Sequence, residues 1–363
     1  MTLKAIDAFA GAGGLSLGLE KAGFSVALAF DNDQVAVDTH RKNLAGRAEV
    51  VDAAAADGKT LLQLAGIERG QLDLLAGGPP CQGFSLQRRG ARDDPRNLLV
   101  LRYLNWLDEM RPRAFLMENV AAIRSVRGKH LVEAVEAAAR GLGFEVHAAI
   151  LDAAEFGVPQ RRRRAFLVGL PKGVPFSWPT PVDFVRTVGE AIRDLPSPPE
   201  DGTCHPQFAN HYREARLSAL NVERIKHVPP GGGREYLPKH LQLACHQGNH
   251  RHLDTYGRLS WDEPSVTITA RFDSFTRGRF GHPEEHRSIT LREGARLQSF
   301  PDSFAFLGNR EDGARLIGNA VPPLLANAIG NSISASLSGR QAPGKNTPQM
   351  PRQMSLWAPD MAS

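Results

Sequence analysis

The chain has 363 residues, which suits one large domain or two modest ones. Its 42% hydrophobic and 23% charged residues are ordinary for a globular protein, and no apolar run approaches the ~20 residues that cross a bilayer. Three cysteines are too few for a disulfide framework, and the N-terminus lacks a signal-peptide pattern, so we expect a cytoplasmic protein with reduced thiols. A net charge of +5 permits a polyanionic partner without establishing one.

Strand and helix patterns alternate along the first half of the chain. Strands are predicted in LKAIDAF, FSVALAFD, LDLLAGG, RAFLMENV, EVHAAILD and RRAFLVGLP. Helices are predicted in GLSLGLEKAG, DQVAVDTHRKNL, NLLVLRYLNWLDEM and KHLVEAVEAAARGLGF. This alternation predicts an α/β fold with a doubly wound, mostly parallel sheet.

The pattern changes near residue 171, where PKGVPFSWPTP is rich in proline. We predict a catalytic domain of residues 1–180 plus 285–337, where helical patterns return. Residues 185–284 form a second, smaller and irregular domain, with frequent His and Arg. Residues 338–363 are polar and proline-rich, which predicts a disordered tail.

Polar residues follow several of the predicted strands. They are Gly11–Gly14, Asp31, Cys81 and Glu118. Because ligands bind beyond the carboxyl ends of parallel strands, we expect these residues to converge at one edge of the sheet.

The turn FAGAGG favours a nucleoside-bearing cofactor, with Asp31 placed to accept hydrogen bonds from ribose hydroxyls. Ser16 occupies the third glycine position of the dinucleotide fingerprint, so a plain structural turn is an equal alternative. Asp52 is either another contact or a solvated loop acid.

Cys81 lies in the polar turn GGPPCQGFS, whereas inert cysteines usually lie in apolar runs. A nearby cation or helix N-terminus would favour its thiolate. Glu118 ends a buried strand, where a carboxylate is costly unless it is paired or functional, although a helix N-cap is the simpler alternative. Together they could supply a nucleophile and a proton donor to a ring nitrogen.

Arginines are concentrated in two further places. In PQRRRR, strand alternation places Arg162 and Arg164 on one face and Arg161 and Arg163 on the other. The loop SLQRRGARDDPRN after Cys81 suits contacts with phosphates, or is an ordinary surface loop. The pairs Cys204–His205 and Cys245–His246 fit no compact zinc pattern, so we predict no metal site.

Six motifs in this order resemble those of the C5-cytosine DNA methyltransferases, over roughly residues 3–180 and 258–335. The matching residues are Phe9, Gly11, Gly13 and Gly14; Pro80, Cys81 and Gln82; Glu118, Asn119 and Val120; Gln160, Arg162 and Arg164; and residues 292–304 and 317–323.

The resemblance implies a Rossmann-like domain that binds S-adenosylmethionine. It assigns to the cofactor Phe9, Gly11, Gly13, Gly14, Asp31, Asn32, Asp52, Pro80, Asn319 and Val321. Phe9 would contact the charged end of the cofactor by a cation–π interaction. The irregular region 185–284 would recognise the DNA target, and no residue in it identifies the target sequence.

The resemblance also implies the chemistry. Cys81 would add to carbon 6 of a cytosine flipped out of duplex DNA, and Glu118 would protonate or hydrogen-bond ring N3. Arg164 would bind the cytosine carbonyl oxygen, and Arg162 would support Cys81 or a phosphate. Gln82, Ser85, Arg88 and Arg89 would contact DNA. We expect a monomeric prokaryotic modification enzyme that belongs to a restriction–modification system and does not bind the endonuclease directly.

Three other functions are compatible with parts of the pattern. A tRNA cytosine-5 methyltransferase would share the fold, although the Cys-Phe-Thr segment of those relatives is absent. A silent DNA-binding protein would not need Cys81, Glu118 and Arg164. A nicotinamide oxidoreductase is least favoured, because no motif serves hydride transfer.

Overall fold

The computed structural model describes residues 2–80, 97–124, 129–213, 217–243 and 254–339. These residues form two compact units. Unit 1 contains the chain up to Phe156, Arg163–Val182 and the segment that begins at Val321; unit 2 contains Gly157–Arg162 and Asp183–Ala320. This division groups residues 285–320 with the region predicted to recognise DNA, and the functional boundaries stay a prediction.

The described part of unit 1 contains a seven-stranded sheet of order β3-β2-β1-β4-β5-β7-β6. Its strands are β1 Leu3–Ala8, β2 Phe24–Asp31, β3 Arg47–Val50, β4 Leu74–Gly77, β5 Ala114–Val120, β6 Phe144–Asp152 and β7 Arg163–Pro171. Strands β1 to β5 pair in parallel, whereas β7 runs antiparallel to both β5 and β6. The predicted doubly wound, mostly parallel sheet is confirmed.

Helices follow most of the strands. They are α1 Gly14–Lys21, α2 Gln34–Asn43, α3 Gly58–Ala65, α4 Asn97–Met110, α5 Lys129–Gly141, α6 Val188–Ile192, α7 Ala219–Lys226, α8 Leu291–Leu297, α9 Arg310–Asn319 and α10 Pro323–Leu337. Short 3₁₀ helices lie at Ala121–Arg124, Ala153–Phe156, Arg234–Tyr236, Lys239–Leu241 and Phe275–Arg277. Strand β3 and helices α3, α6, α7 and α9 were not among the predicted elements. No helix within the described ranges is both long and apolar enough to span a membrane.

An aromatic cluster holds α4 against the sheet of unit 1. The Trp106 ring meets Phe30 edge to face at 5.4 Å, and both rings are buried. The hydroxyl of Tyr103 donates to the carbonyls of Leu75 at 2.8 Å and Leu116 at 3.1 Å, on β4 and β5. These contacts fix the two central strands relative to α4, so the ends of the strands are held in place.

The last helix, α10, belongs to unit 1 and packs against α1. The two helices approach closely at Gly18, where a β-carbon would lie 2.3 Å from the β-carbon of Ala326. Glycine permits this approach because it has no side chain.

Unit 2 contains buried arginines that bind backbone carbonyls of its irregular segments. The Arg258 guanidinium donates to Ile225 at 3.0 Å and His282 at 2.7 Å. Arg292 donates to three further carbonyls, those of Ala209, Pro301 and Phe304. Buried carbonyls outside helices and sheets need such partners. Arg258, one of the arginines in the predicted recognition region 185–284, therefore has a structural role.

Candidate functional site

The candidate site lies at the carboxyl edge of the sheet in unit 1. The parallel strands β1, β2, β4 and β5 end at Ala8, Asp31, Gly77 and Val120, so the segments that follow them begin at one edge. Eight described residues of the predicted site lie at or just after these strand ends: Phe9, Gly11, Gly13, Gly14, Asp31, Asn32, Pro80 and Glu118. The predicted Cys81, Gln82, Ser85, Arg88 and Arg89 lie outside the described residues.

The turn after β1 depends on left-handed backbone at three positions. Phe9, Gly11 and Gly13 have φ values of 59°, 55° and 98°. The Gly11 N–H donates to Oδ2 of Asp31 at 2.9 Å, which ties the turn to the end of β2. A β-carbon at Gly11 would have no atom within 4 Å, so there is open space beside this backbone. The turn is thus rigidly tied on one side and open to a ligand on the other.

Phe9 is held by aromatic neighbours. Its half-buried ring lies 5.9 Å from Trp106 and 6.3 Å from Phe30, measured between ring centroids. Aromatic pairs at these separations are favourable, and the ring of a Phe so placed can attract a cation over its face.

The polar residues at and after the ends of β2 and β3 differ in their surroundings. Asp31 accepts a second backbone N–H, from Asp33 at 3.1 Å, and its partial burial raises the pKa of its carboxyl against the opposing effect of these hydrogen bonds. Asn32 and Asp52 are exposed, and Asp52 accepts the N–H of Ala54 at 2.9 Å. A carboxylate has about four acceptor sites, so Asp31 retains capacity for a ligand hydroxyl.

Asn119 binds the proline turn that leads to Cys81. Its side-chain Nδ2 donates to the carbonyl of Pro79 at 3.0 Å, and its Oδ1 accepts the N–H of Val120 at 2.9 Å. The side chain is buried. The end of β5 therefore holds the backbone immediately before Pro80.

Glu118 and Arg164 form an ion pair across β5 and β7. Oε1 of Glu118 lies 3.1 Å from Nε of Arg164, and the side chains are only 15% and 16% exposed. Nη1 of Arg164 also donates to the carbonyl of Arg163 at 2.9 Å. The other carboxylate oxygen, Oε2, lies 3.0 Å from the position that a β-carbon at Gly78 would occupy. The Glu118 carboxylate is thus enclosed between an arginine and the backbone that leads to Cys81.

Two predicted residues belong to unit 2. The Arg162 side chain is 1% exposed, and it donates to the carbonyls of Ile268 at 3.0 Å and Gly318 at 2.9 Å. These contacts give Arg162 a structural task in unit 2, and its role beside Cys81 stays a prediction. Asn319 is the exposed last residue of α9, whereas Val321, at the start of the final segment of unit 1, is buried.

The predicted alternation of the arginine run is observed. Arg161 and Arg163 are exposed, Arg162 is buried and Arg164 is half-buried.

A buried chain of hydrogen-bonded side chains, not predicted from the sequence, lies behind the glycine turn. The hydroxyl of Ser16 donates to Oδ2 of Asp7 at 2.6 Å and lies 3.1 Å from Nε2 of His40. Burial raises the pKa of Asp7 to about 7 and lowers the pKa of His40 to about 4. The serine at the third glycine position was the one sequence signal of these hydrogen bonds, and no feature of the sequence indicated His40.

Comparisons with known proteins extend over most of the chain. The family model described as C-5 cytosine-specific DNA methylase matches residues 3–335. The type II methyltransferase M.XorII of Xanthomonas oryzae is 36% identical, over 96% of this chain and 87% of that protein. The type II methylase M.HgiDII of Herpetosiphon aurantiacus is 33% identical, over 92% of this chain and 96% of that protein.

Two solved methyltransferase structures are similar to this chain. A prophage-encoded protein of E. coli, assigned as a DNA modification methyltransferase, aligns with a TM-score of 0.72 and 25% identity, over 93% of this chain and 100% of its own. The Dnmt2 methyltransferase of S. pombe has a TM-score of 0.57 at 19% identity, over 93% of this chain and 98% of its own, which shows a shared fold.

Proposed function

Because the chain belongs to the C-5 cytosine-specific DNA methylase family, we propose that it methylates cytosine within a specific duplex DNA sequence, using S-adenosylmethionine and Cys81. Family membership makes it an enzyme that methylates carbon 5 of cytosine in DNA. The observation that carries the assignment of residues is the Glu118–Arg164 pair, held beside the backbone that leads to Cys81.

The turn of residues 9–14 fits S-adenosylmethionine. The open space beside Gly11 leaves room for a ligand against the backbone, and the Phe9 ring suits its sulfonium cation. Asp31 has acceptor capacity for ribose hydroxyls. Further contacts are proposed for Gly13, Gly14, Asn32, Asp52, Pro80, Asn319 and Val321. When bound, the cofactor supplies an electrophilic methyl group.

The chain's own residues would activate the base. The Cys81 thiolate adds to carbon 6, which converts the ring to an enamine with electron density at carbon 5. Glu118 stabilises this adduct by protonating or hydrogen-bonding ring N3. Arg164 orients the Glu118 carboxylate and can bind the cytosine carbonyl oxygen. After carbon 5 is methylated and loses its proton, expulsion of Cys81 restores the ring.

A cytosine paired inside a duplex cannot reach such a site, so the base must be flipped out. We propose that Gln82, Ser85, Arg88 and Arg89 contact DNA near the flipped base and that residues 185–284 recognise the target. Type II modification of a restriction–modification system is the context that we infer from the named relatives. The monomeric state, the cytoplasmic location and a separate endonuclease stay predictions.

The experiment compares wild type with two cysteine variants. Protein is incubated with duplex DNA and tritiated S-adenosylmethionine, and it is also tested for covalent trapping on DNA that contains 5-fluorocytosine. Cys81→Ser should abolish both methyl transfer and trapping. Cys204→Ser is the matched control, because Cys204 is exposed and lies in unit 2.

Substantial transfer by Cys81→Ser would refute the proposed nucleophile. Methylation of tRNA but not of duplex DNA would favour the RNA alternative. Trapping without transfer by the wild type would contradict the proposed use of S-adenosylmethionine. Methylation-sensitive sequencing of DNA from cells that express the protein would then identify the target.

A further inference from the structure

Ser16 joins three elements behind the candidate cofactor turn. Its hydroxyl donates to Oδ2 of Asp7 on β1 at 2.6 Å, and it lies within hydrogen-bond distance of Nε2 of His40 on α2, at 3.1 Å. Ser16 itself lies in the first turn of α1. The three side chains are at most 1% exposed, so no water competes with these contacts from the surface.

This chain of hydrogen bonds lies directly against the turn. A β-carbon at Gly13 would lie 2.7 Å from Cδ2 of the His40 ring, so the ring packs on the backbone at Gly13. At a second point of the turn, the Gly11 N–H donates to Oδ2 of Asp31 at 2.9 Å. The His40 ring and the Asp31 carboxylate therefore hold the turn at two points, and the Ser16 hydroxyl holds the ring.

The turn needs such support because glycines are conformationally free. Gly11 and Gly13 have φ values of 55° and 98°, which a flexible turn would sample together with many other conformations. A ligand that binds only one of these conformations loses affinity in proportion to the fraction of molecules that adopt it. A buried network that selects that conformation before binding raises affinity.

We propose that Ser16 is a positioning residue for S-adenosylmethionine, which acts through Asp7 and His40 to hold the turn of residues 9–14 in its binding conformation. This inference rests on the proposal that the turn binds this cofactor. At the third glycine position of the dinucleotide fingerprint, this protein thus has a serine whose hydroxyl forms hydrogen bonds.

The test measures cofactor affinity and catalysis separately. Ser16→Ala and Ser16→Gly both remove the hydroxyl, and Ser16→Gly also completes the glycine fingerprint. Both should raise the dissociation constant for S-adenosylmethionine, measured by calorimetry, and the KM by about tenfold, the effect of losing one buried hydrogen bond. The kcat at saturating cofactor should stay within about twofold of wild type, since the residues at cytosine are untouched.

Ser336→Ala is the matched control, because Ser336 is also a buried serine of unit 1 whose hydroxyl donates to a carbonyl, that of Pro175 at 2.8 Å. It should leave the dissociation constant unchanged. If the Ser16 variants do not fold, His40→Gln and His40→Leu replace them. The glutamine amide can still donate to Ser16, so His40→Gln should keep more affinity than His40→Leu.

An unchanged dissociation constant in the Ser16 variants, wild-type affinity in Ser16→Gly alone, or a loss confined to kcat would overturn the inference. Equal affinity of the two His40 variants would do the same. A wild-type chain that binds S-adenosylmethionine but methylates no DNA would refute the proposed function, while the comparison of dissociation constants would still decide the role of Ser16.

Discussion

Replacing Gly78 by alanine should slow catalysis by displacing the Glu118 carboxylate. The added β-carbon would lie 3.0 Å from Oε2 of Glu118, whereas ordinary contact begins at 3.4 Å, so the carboxylate must move by about 0.4 Å. It cannot move freely, because its other oxygen is paired with Nε of Arg164 at 3.1 Å. The main chain at Gly78 has an ordinary φ, so the substitution adds a steric contact without backbone strain.

We expect kcat of Gly78→Ala to fall by about tenfold, because a misplacement of 1 Å can cost about a hundredfold. The KM for S-adenosylmethionine should stay within about twofold of wild type, since the glycine turn is not touched. Both parameters follow from initial rates with tritiated cofactor and duplex DNA. Gly141→Ala is the matched control, because a β-carbon there meets no atom within 4 Å and its φ is ordinary.

A double-mutant cycle tests whether Gly78→Ala acts through the Glu118 carboxylate. In a Glu118→Gln background, where the proton donor is already impaired, Gly78→Ala should cost much less than it does in wild type. A full additional loss in that background would show that Gly78 acts elsewhere, and an unchanged kcat in the single variant would show that the carboxylate is not held where the structure places it.

Three further predictions concern charged groups. Burial raises the pKa of Asp7 from 3.8 to about 7, so the stabilising contribution of Asp7 is full below pH ~4 and is lost as pH rises through ~7. Between pH 4 and 8, the free energy of unfolding of the wild type should therefore fall by up to ~4 kcal/mol relative to that of Asp7→Asn. A pH-independent difference between the two proteins in urea titrations would contradict this. Glu293→Gln removes the buried negative charge that Arg287 contacts at 2.7 and 2.8 Å, although Arg287 keeps its hydrogen bonds to Glu285, so the free energy of unfolding should fall by about 3 kcal/mol, and a much smaller change would argue that Glu285 compensates. Arg164→Lys loses the guanidinium Nε that contacts Glu118 at 3.1 Å and should lower kcat about tenfold, and unaltered kinetics would exclude Arg164 from orienting the carboxylate.

Helices and strands with strong periodicity could be predicted from local sequence. The runs that became α1, α4, α5 and β4 have clear apolar spacing and glycine or proline endings. Strand β3, with the sequence RAEV, and the short helix α3 lack such signals and were missed. The antiparallel direction of β7 was also outside the reach of local pattern, because strand direction depends on how the chain returns to the sheet.

Most of the candidate site followed from motif order, since Glu118 and Arg164 could be named before their ion pair was seen. The supporting contacts could not be named. Gly78 matters because of where Oε2 of Glu118 lies, and Asn119 because its amide meets the carbonyl of Pro79. Such contacts join side chains to backbone far away in the chain, which spacing along the sequence does not encode.

The sequence by itself determined the class of fold and the family, and it named the residues that we propose for the chemistry, because periodicity and ordered motifs are local properties. Only the tertiary structure decided which polar groups are buried together and which arginines are structural. Ser16 illustrates the division: its place in the glycine motif was visible at once, whereas its partners Asp7 and His40 come from other elements. Their proximity is a product of packing, which brings β1, α1 and α2 together behind one turn.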